Sequence, residues 1–488
     1  MRHCAPGHRS HTRGGPRRRW PGGSWVDGAG GATSVGGALD LLRDAAAAAG
    51  TVARVKDSVN IGVLGCGNVG AALINLVEDR AEDIEARTGL HLEVTRVAVR
   101  SLSKEREVSL PAKAFTTDVE DVVEDPGVDV VVEVMGGIEP ARELILRALE
   151  SGKAVVTANK ELLANHAVEL FAASDGAGVD LLFEAAVAGG IPLIRPLRES
   201  LVGEDVSRVM GIVNGTTNYI LTKMTEEGWS YSEALAEAQS LGYAERDPTA
   251  DVEGFDAGAK AAIISTIAFG QKVVAGDVSH EGISGITPTD IDFARRLGYQ
   301  IKLLALCDRL EDGSLAVRVH PTMVPDHHPL ASVRDSFNAV FVEGDAVGDL
   351  MFFGRGAGGF PTASAVLGDV VDAAANLAKA THGSLGSFAK ARVRPIDDLS
   401  YRYYINLEVV DRPGVLASVA GLFGEHGVSI RSMEQQALDR EEADGTAARL
   451  IFITHEAREA DVRATLAELR GLDSVTAVGS VLRVIGAS

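Results

Sequence analysis

The chain of 488 residues carries 47 Lys and Arg against 68 Asp and Glu, a formal net charge of −21, and 46% of it is hydrophobic. That length holds about three domains with volume enough to bury cores, and so acidic a balance excludes a general nucleic-acid role, because a protein gripping a polyphosphate needs a basic surface. Cys4, Cys66 and Cys307 form neither a disulfide framework nor a zinc spacing, and no apolar run is long and uninterrupted enough to cross a membrane, so a cytoplasmic protein is expected.

Residues 1–56 are rich in Gly, Arg, Pro and Ala, with no acid before Asp27, and are expected to be a disordered extension. Arg17 to Arg19 suggest a twin-arginine export signal, but Asp27, Asp40, Arg43 and Asp44 interrupt what would be its apolar segment, and export is rejected. A translation start near Val52 or Val55 would remove the extension altogether.

Val59 to Leu64 reads as a buried strand running into Gly65-Cys66-Gly67-Asn68-Val69-Gly70 and an apolar helix. This is GxGxxG in strand-turn-helix context: Gly65 for the tight turn, Gly67 for close approach of a pyrophosphate, Gly70 for helix–strand packing, with phosphates drawn to the helix N-terminus. The next strand, Leu92 to Val99, ends in Arg100, with Lys104 soon after, where a site for NAD would present an acid to the ribose. Two cations there favour NADP, with NAD possible. Strands at Val128 to Val134 and Ala154 to Thr157 end at Met135-Gly136-Gly137 and Ala158-Asn159-Lys160, the strand ends where ligands bind in open parallel sheets. Lys160 starts a helix, Lys160 to Ala173, where a cation is disfavoured by the helix dipole, and so invites a functional reason. Leu181 to Ala186 is expected as a strand, leading through a Gly-rich hinge into the next helix.

After Ser207 the pattern changes to α+β, with a strand at Val209 to Val213, the polar turn Asn214 to Asn218, and strands near Ile301 to Cys307, Leu315 to Val319 and Ala339 to Glu343. Between them lies the stretch Leu241 to Ile264, LGYAERDPTADVEGFDAGAKAAII. Ser230 and Glu233 have capping-box spacing for a helix of Tyr231 to Leu241, and Gly242 stands as its C-terminal glycine. The following helix is expected to bury Phe255, Ala259, Ala262, Ile263, Thr266 and Ile267 and to carry Asp256 and Lys260 four residues apart along one edge. Asp before Lys at this spacing is also an ordinary surface pair, but Glu245, Asp247, Asp251 and Asp256 crowd around one lysine, a costly cluster unless it binds a cation or tunes an ionisation. Phe353 to Phe360 is a second Gly-rich loop before a helix of about Thr362 to Thr381. The end of the chain reads β-α-β-β-α-β, with Asp411 as N-cap, Pro413 as first helical residue and Gly427 as C-terminal stop.

LGY-x-E-x-DP, then Asp, then GxDAxxK, together with GIVNGTTNYIL, resembles homoserine dehydrogenase over roughly residues 58 to 485. Asp411-Arg412-Pro413-Gly414-Val415-Leu416 resembles the signature of the ACT domain, a small sensor of amino acids. The fold class implied is α/β: a Rossmann-type nucleotide-binding domain at 57–191 completed by 354–393, an α+β substrate-binding and dimerisation domain at 192–353, and a C-terminal ferredoxin-like βαββαβ ACT domain at 402–488. The resemblance implies reversible reduction of L-aspartate 4-semialdehyde to L-homoserine with NAD(P)H, on the route to threonine, isoleucine and methionine. It implies Lys260 as general acid–base with Asp256 orienting it; Glu245, Asp251, Asp256 and Lys160 at the substrate; and Lys160, Gly242 and Gly358 joining Gly65, Gly67, Asn68, Val69, Gly70, Arg100 and Lys104 at the cofactor. It further implies a monovalent cation, sodium, held mainly by backbone carbonyls at Glu184, Val187, Gly189 and Ile191, with Ala188 replacing the commoner Gly. L-Threonine would be the effector, at Asp411 and Gly414, in a homodimer or homotetramer. Two other readings stay open: an acylating semialdehyde dehydrogenase, which needs an activated cysteine, and a non-enzymatic amino-acid-responsive binding protein.

Overall fold

The computed structural model of the chain describes residues 58–442 and 445–486, so the extension expected over 1–56 lies outside the described residues. β1 (Ser58–Leu64) feeds α1 (Asn68–Thr88), followed by β2 (His91–Ala98), β3 (Phe115–Thr116), α2 (Glu120–Val123), β4 (Val130–Glu133), α3 (Ala141–Glu150), β5 (Ala154–Thr157), α4 (Lys160–Ala177) and β6 (Leu181–Leu182). Every pairing among these strands is parallel and their order is β3-β2-β1-β4-β5-β6. That is a doubly wound sheet whose order reverses beside β1, opening a crevice at the carboxyl ends of β1 and β4. The runs VVVE and AVVT are buried throughout, as strands covered on both faces must be. The expected strand Leu181 to Ala186 is cut to two residues, because the Glu184 N–H is taken by Asp369 Oδ2 at 2.8 Å and the chain turns into a 3₁₀ helix, Glu184–Ala186.

The second sheet starts at β7 (Val206–Ile212). Helices α5 (Gly215–Glu227), α6 (Tyr231–Ser240), α7 (Thr249–Val252) and α8 (Phe255–Phe269) come next, then the short strands β8 (Gln271–Lys272) and β9 (Ser279–His280) and helix α9 (Pro288–Arg296). β10 (Tyr299–Arg309), β11 (Leu315–Pro325), β12 (Phe337–Gly344) and β13 (Gly348–Arg355) complete this part, and α10 (Gly359–Ala378) returns to the first sheet, where Ala363, Val366, Val370, Ala373 and Ala374 join its core. Strand β13 was not anticipated. Burial along GDLMFFGR alternates, but its exposed face carries the apolar Met351 and Phe353, so the sequence lacks the polar–apolar alternation that marks a half-buried strand.

After β14 (Ala389–Lys390), the last part comprises β15 (Ser400–Asp411), α11 (Val415–Glu425), β16 (Ile430–Glu442), β17 (Gly445–Thr454), β18 (Ala457–Arg458), α12 (Glu459–Leu469) and β19 (Val475–Val484). Its strand order, β19-β15-β17-β16, is that of a ferredoxin-like unit with both long helices packed on one face around Val415, Val419, Phe423, Val462, Leu466 and Leu469. This sheet is continuous with the previous one, because β19 pairs in parallel with β11 at Thr322↔Arg483 and Met323↔Val484. Asp411 and Pro413 do not start α11. The helix begins at Val415, capped by Gly414 at φ 94°, a left-handed turn that delays it past the proline.

The glycine loop is fixed by backbone contact. Gly65 turns at φ 104°, and a Cβ on Gly70 would lie 2.2 Å from the Gly65 carbonyl oxygen, whereas nothing stands within 4 Å of one on Gly67. Gly70→Ala is therefore expected to overpack the turn and lower stability by about 1–3 kcal/mol, read as a fall in the urea midpoint. Gly67→Ala should leave that midpoint unchanged; equal effects of the two would contradict the packing assigned to the loop.

Candidate active site

The site lies where the carboxyl ends of β4 and β5 meet the second sheet. Asn159 caps α4, its Oδ1 accepting from Leu162 N at 3.1 Å and its Nδ2 donating to the Gly137 carbonyl at 2.6 Å, which ties this helix start to the loop after β4. That loop is held from beneath by Glu133, wholly buried, whose Oε1 accepts from Met135 N at 2.8 Å and Gly136 N at 3.1 Å while its Oε2 accepts from Thr157 Oγ1 at 2.7 Å. Lys160 follows at the first position of α4, and its ammonium bonds Asp256 Oδ1. The cation that the helix dipole disfavours is thus stabilised by a carboxylate from another helix.

Asp256 and Lys260 lie on α8, and Lys260 Nζ donates to Asp256 Oδ2 at 2.7 Å and to the Val213 carbonyl at 2.6 Å. The expected buried face of α8 needs correction: Phe255 is half exposed, while Asp256 and Lys260 are both buried. The helix is rotated so that its acid–base edge points inward, which the two lysine–carboxylate bonds make tolerable. Asn214, the cap of α5, completes the cluster. Its Oδ1 accepts from Thr217 N at 2.9 Å, and its Nδ2 donates to Asp251 Oδ1 at 2.7 Å and Asp256 Oδ2 at 2.9 Å. Sequence reasoning saw a polar turn there and missed the role. An Asn opening a helix beside a strand end is the signal that could have found it.

The three central ionisations are pushed apart. Burial would raise the Asp256 carboxyl, but the charges of Lys260 and Lys160 outweigh it and hold the group well below the usual carboxylate range. Burial lowers the pKa of Lys260, against the opposing pull of Asp256. Lys160 also suffers burial, but its side chain is 45% exposed, and the charge and hydrogen bond of Asp256 raise it overall. Asp251 is shifted up by burial, against the bond from Asn214. Two lysines that share one carboxylate are thereby differentiated, one kept charged and one made easier to deprotonate.

A cavity of about 310 Å³ opens at this cluster, lined by Gly136, Asn159, Lys160, Lys260, Gly189 and Gly356 among others. Val69 from the glycine loop reaches it, so the dinucleotide turn and the lysine pair face one cleft. Gly65, Gly67, Asn68 and Gly70 form the turn itself, and Gly358 at φ 120° caps α10 beside it, with Gly359 close enough that a Cβ would stand 3.1 Å from the Asn68 carbonyl. Arg100 and Lys104 are exposed beyond β2. Arg106 was not singled out; it donates to the carbonyls of Ser101 at 2.9 Å and Lys104 at 2.7 Å and adds a third cation to that loop. Glu245 is exposed and does not line the cavity, its carbonyl accepting from Gln239 Nε2 at 3.0 Å. Gly242 ends α6 at φ 75° and also stays outside the cavity.

At the hinge after β6, the Glu184 carboxylate is consumed by the N–H groups of Leu193, Ile194 and Arg195. Only main-chain oxygens remain for a cation at Glu184, Val187, Gly189 and Ile191, and among the described residues no group of three His, Cys, Asp or Glu side chains could hold a metal. Ala188 and Gly189 both take left-handed φ values of 57°, which turns successive carbonyls of this buried loop. Cys307 is buried with its thiol pushed up to about 12 by desolvation, and burial also raises Cys66. Neither is an activated nucleophile, which removes the physical basis of an acylating semialdehyde dehydrogenase.

A doubly wound nucleotide fold whose strand ends meet a buried lysine–carboxylate pair defines a nicotinamide-dependent oxidoreductase, here with a ferredoxin-like unit appended. Family models agree: homoserine dehydrogenase, NAD binding domain, over residues 65–184; homoserine dehydrogenase over 192–371; and the ACT domain over 403–474. The homoserine dehydrogenase of Mycobacterium tuberculosis is 50% identical over 433 residues, covering 88% of this chain and 98% of the relative. The crystal structure of a homoserine dehydrogenase from Thiobacillus denitrificans superposes with a TM-score of 0.81 at 40% identity, covering 88% of this chain and 98% of that one. A hyperthermophilic archaeal homoserine dehydrogenase in complex with NADPH matches at 29% identity and a TM-score of 0.55, over 65% of this chain and 97% of that one. The chain belongs to the homoserine dehydrogenase family, oxidoreductases acting on a CH–OH group, and carries that family's nucleotide-binding and catalytic domains together with an ACT domain.

Asn214 joins the cap of α5 to both buried acids. Asn214→Ala should cost about 1–3 kcal/mol, since it leaves carboxylate oxygens short of a donor and removes a helix cap, and should lower kcat by about tenfold through misplacement of Asp256. An unchanged kcat in the folded variant would separate Asn214 from the catalytic geometry.

Proposed function

We propose that this chain interconverts L-aspartate 4-semialdehyde and L-homoserine with NADP(H), and that Lys260 carries the proton. The observation that carries this reading is the buried Lys260–Asp256 pair, which lines the cleft reached by the dinucleotide loop. The nicotinamide, when bound, supplies or accepts the hydride. Lys260 then protonates the developing alkoxide during reduction and takes a proton from the hydroxyl in the reverse direction. Its Nζ is held by Asp256 and the Val213 carbonyl, and the residue lines the cavity, which leaves one position on nitrogen for the substrate. Asp256 orients it and the substrate oxygen. Lys160, kept charged, suits the substrate carboxylate and the cofactor, and Asp251 and the solvent-facing Glu245 suit the substrate ammonium.

The other roles follow the same reading. Arg100 and Lys104, joined by Arg106, meet a 2′-phosphate; the archaeal neighbour with NADPH supports this choice of cofactor. A monovalent cation, sodium, would be held by the carbonyls of Glu184, Val187, Gly189 and Ile191, because the Glu184 carboxylate is already engaged. The domain division proposed is 57–191 with 354–393 for the nucleotide, 192–353 for substrate and dimerisation, and 402–488 for regulation by L-threonine through Asp411 and Gly414. A cytoplasmic homodimer or homotetramer is proposed, pairing through the exposed edge at β13; among the described residues no helix is long and apolar enough to cross a membrane.

Lys260→Ala should lower kcat for homoserine oxidation by about two to four orders of magnitude with NADP binding retained. In the unaltered chain kcat/KM for oxidation should rise with pH through a group below the ordinary lysine value, because the base must be neutral and burial lowers its pKa. The variant should lose that rising limb; near-normal turnover would remove Lys260 from the mechanism. Arg100→Ala should weaken NADP(H) at least tenfold and NAD(H) little, since only the former carries the 2′-phosphate. Equal weakening of both would exclude Arg100 from phosphate recognition.

A further inference from the structure

The main-chain ladder between β4 and β5 ends where the cleft begins. Its last rung, from the Ala158 N–H to the Glu133 carbonyl, measures 3.3 Å, already long for such a bond. Past it the two strand ends are joined by a ring of side-chain bonds. Glu133 and Thr157, the last residues of their strands, stand opposite each other in register and are both wholly buried. Glu133 offers Oε1 to the N–H groups of Met135 and Gly136 and Oε2 to the Thr157 hydroxyl, which in turn accepts from Asn159 N–H at 3.0 Å. Asn159 closes the ring by donating to the Gly137 carbonyl. The three donors to Glu133 are uncharged, so this acid is buried without the compensation of an ion pair among the described residues, a costly placement.

One side of the ring is the loop of residues 135–137 and the other is the turn of residues 158–160. Met135 and Gly136 from the first, and Ala158, Asn159 and Lys160 from the second, line the same cavity. The loop has little to hold it in place by itself. Gly136 and Gly137 take left-handed φ values of 75° and 79°, and a Cβ on either would meet nothing within 4 Å. Packing therefore does not dictate their conformation, and two adjacent glycines have wide backbone freedom. The two bonds to Glu133 are what select one arrangement. On the other side, Asn159 enters the ring through both its N–H and its side chain, and Lys160 follows it directly, its ammonium bonded to Asp256. The ring thus sets where the Lys160 side chain starts.

We propose that Glu133 and Thr157 are positioning residues for the hydride transfer: Glu133 fixes the glycine loop that meets the nicotinamide half of the cofactor, and its bond to Thr157 sets that loop in register with Lys160, which holds the substrate. The inference rests on the reading of the cleft as the place where homoserine and NADP(H) meet. Transfer between two bound molecules falls steeply when their relative placement is lost. Here the wall for one and the anchor for the other belong to different strands, so a direct link between the strand ends carries that placement. The two halves of Glu133 can be separated chemically. A glutamine keeps Oε1 as acceptor for both loop amides, but its Nε2 donates where the Thr157 hydroxyl donated, and that hydroxyl, already accepting from Asn159 N–H, is left with its own proton unmet.

The test measures NADPH binding by its fluorescence and homoserine oxidation on the same samples of the full chain, in variants checked for a native melting transition. Glu133→Met, which keeps the side-chain length but accepts no hydrogen bond, should weaken NADPH at least about tenfold, whereas Glu133→Gln and Thr157→Val should leave it within about threefold. Those last two should lower kcat/KM for homoserine about tenfold, and Thr157→Ser, which restores the hydroxyl, should recover most of that loss. Because Thr157 acts through Lys160, Thr157→Val should cost less than about twofold more in a Lys160→Ala background, whereas a merely structural role would leave the two losses additive. NADPH affinity unchanged in Glu133→Met, or weakened equally by Glu133→Gln, overturns the proposal, as does Thr157→Ser no better than Thr157→Val, or full additivity with Lys160→Ala. If Glu133→Met does not fold, the Thr157 variants decide. If the unaltered chain does not oxidise homoserine, the enzymatic reading fails by itself, and the NADPH titrations of the two Glu133 variants still decide whether Glu133 holds the loop.

Discussion

The Asp256 carboxylate, buried between two ammonium groups, is the interaction on which the site depends. It links α4 of the nucleotide-binding sheet, through Lys160, to α8, through Lys260, and both to the β7–α5 turn, through Asn214. Burying these charges opposes folding, and only close, hydrogen-bonded pairing repays it. Removing one member would leave an uncompensated charge, a loss of about 3–5 kcal/mol for a buried pair, with less expected at the half-exposed Lys160, where solvent screens the charge. The arrangement is therefore costly as a structural clamp alone; it becomes intelligible as one that keeps Lys260 dry and easier to deprotonate while Lys160 stays charged.

Around this cluster the loops are fixed by main chain lying directly on main chain. A Cβ on Gly189 would fall 2.2 Å from the Gly356 carbonyl, and one on Gly190 2.9 Å from Pro361, so the hinge after β6 and the return segment after β13 are pressed together without intervening side chains. The return segment then abuts Asn68 at the start of α1. Three loops remote in sequence thus share one backbone-packed junction beside the cleft. Ala188 tolerates the left-handed conformation in the middle of it, fully buried, where only glycine would be free of strain.

Much of this was legible from sequence because local rules and the global fold agree. The glycine loop announced itself through its setting, the capping box at Ser230 and Glu233 is formed by both side chains, and the end of the chain has the expected β-α-β-β-α-β order of long elements. The failures have separate physical causes. Periodicity assigned Phe255 to the core because an apolar residue outranks an acid in any burial scale, and nothing local announces that Asp256 has two lysines waiting, one of them 96 residues away in sequence. Strand β13 escaped because its exposed face carries Met351 and Phe353, so its burial alternates while its hydropathy does not, and the start of α11 was misplaced because Gly414 adds a left-handed turn after Pro413. Asn214 acts through Asp251 and Asp256, distant in the chain, and a polar residue read alone gives no hint of what it will bond.

The sheet of the ferredoxin-like unit is an extension of the catalytic one. The β11–β19 pairing covers only Thr322, Met323 and their partners, too short to hold two domains by backbone bonds alone. Side chains supply the rest: Tyr404, Ile451, Leu482 and Val484 belong to the same apolar core as the catalytic helix residues Ala261 and Ile264. Asp290 then fixes the orientation, because a buried carboxylate with several donors tolerates little displacement before one of its bonds is lost. A change in that cluster cannot be absorbed by a flexible linker; it must either be resisted or be passed into α9 and the helix it packs on. An effector bound to a unit joined in this way would need only a differential affinity for two arrangements of that shared core to alter the cleft.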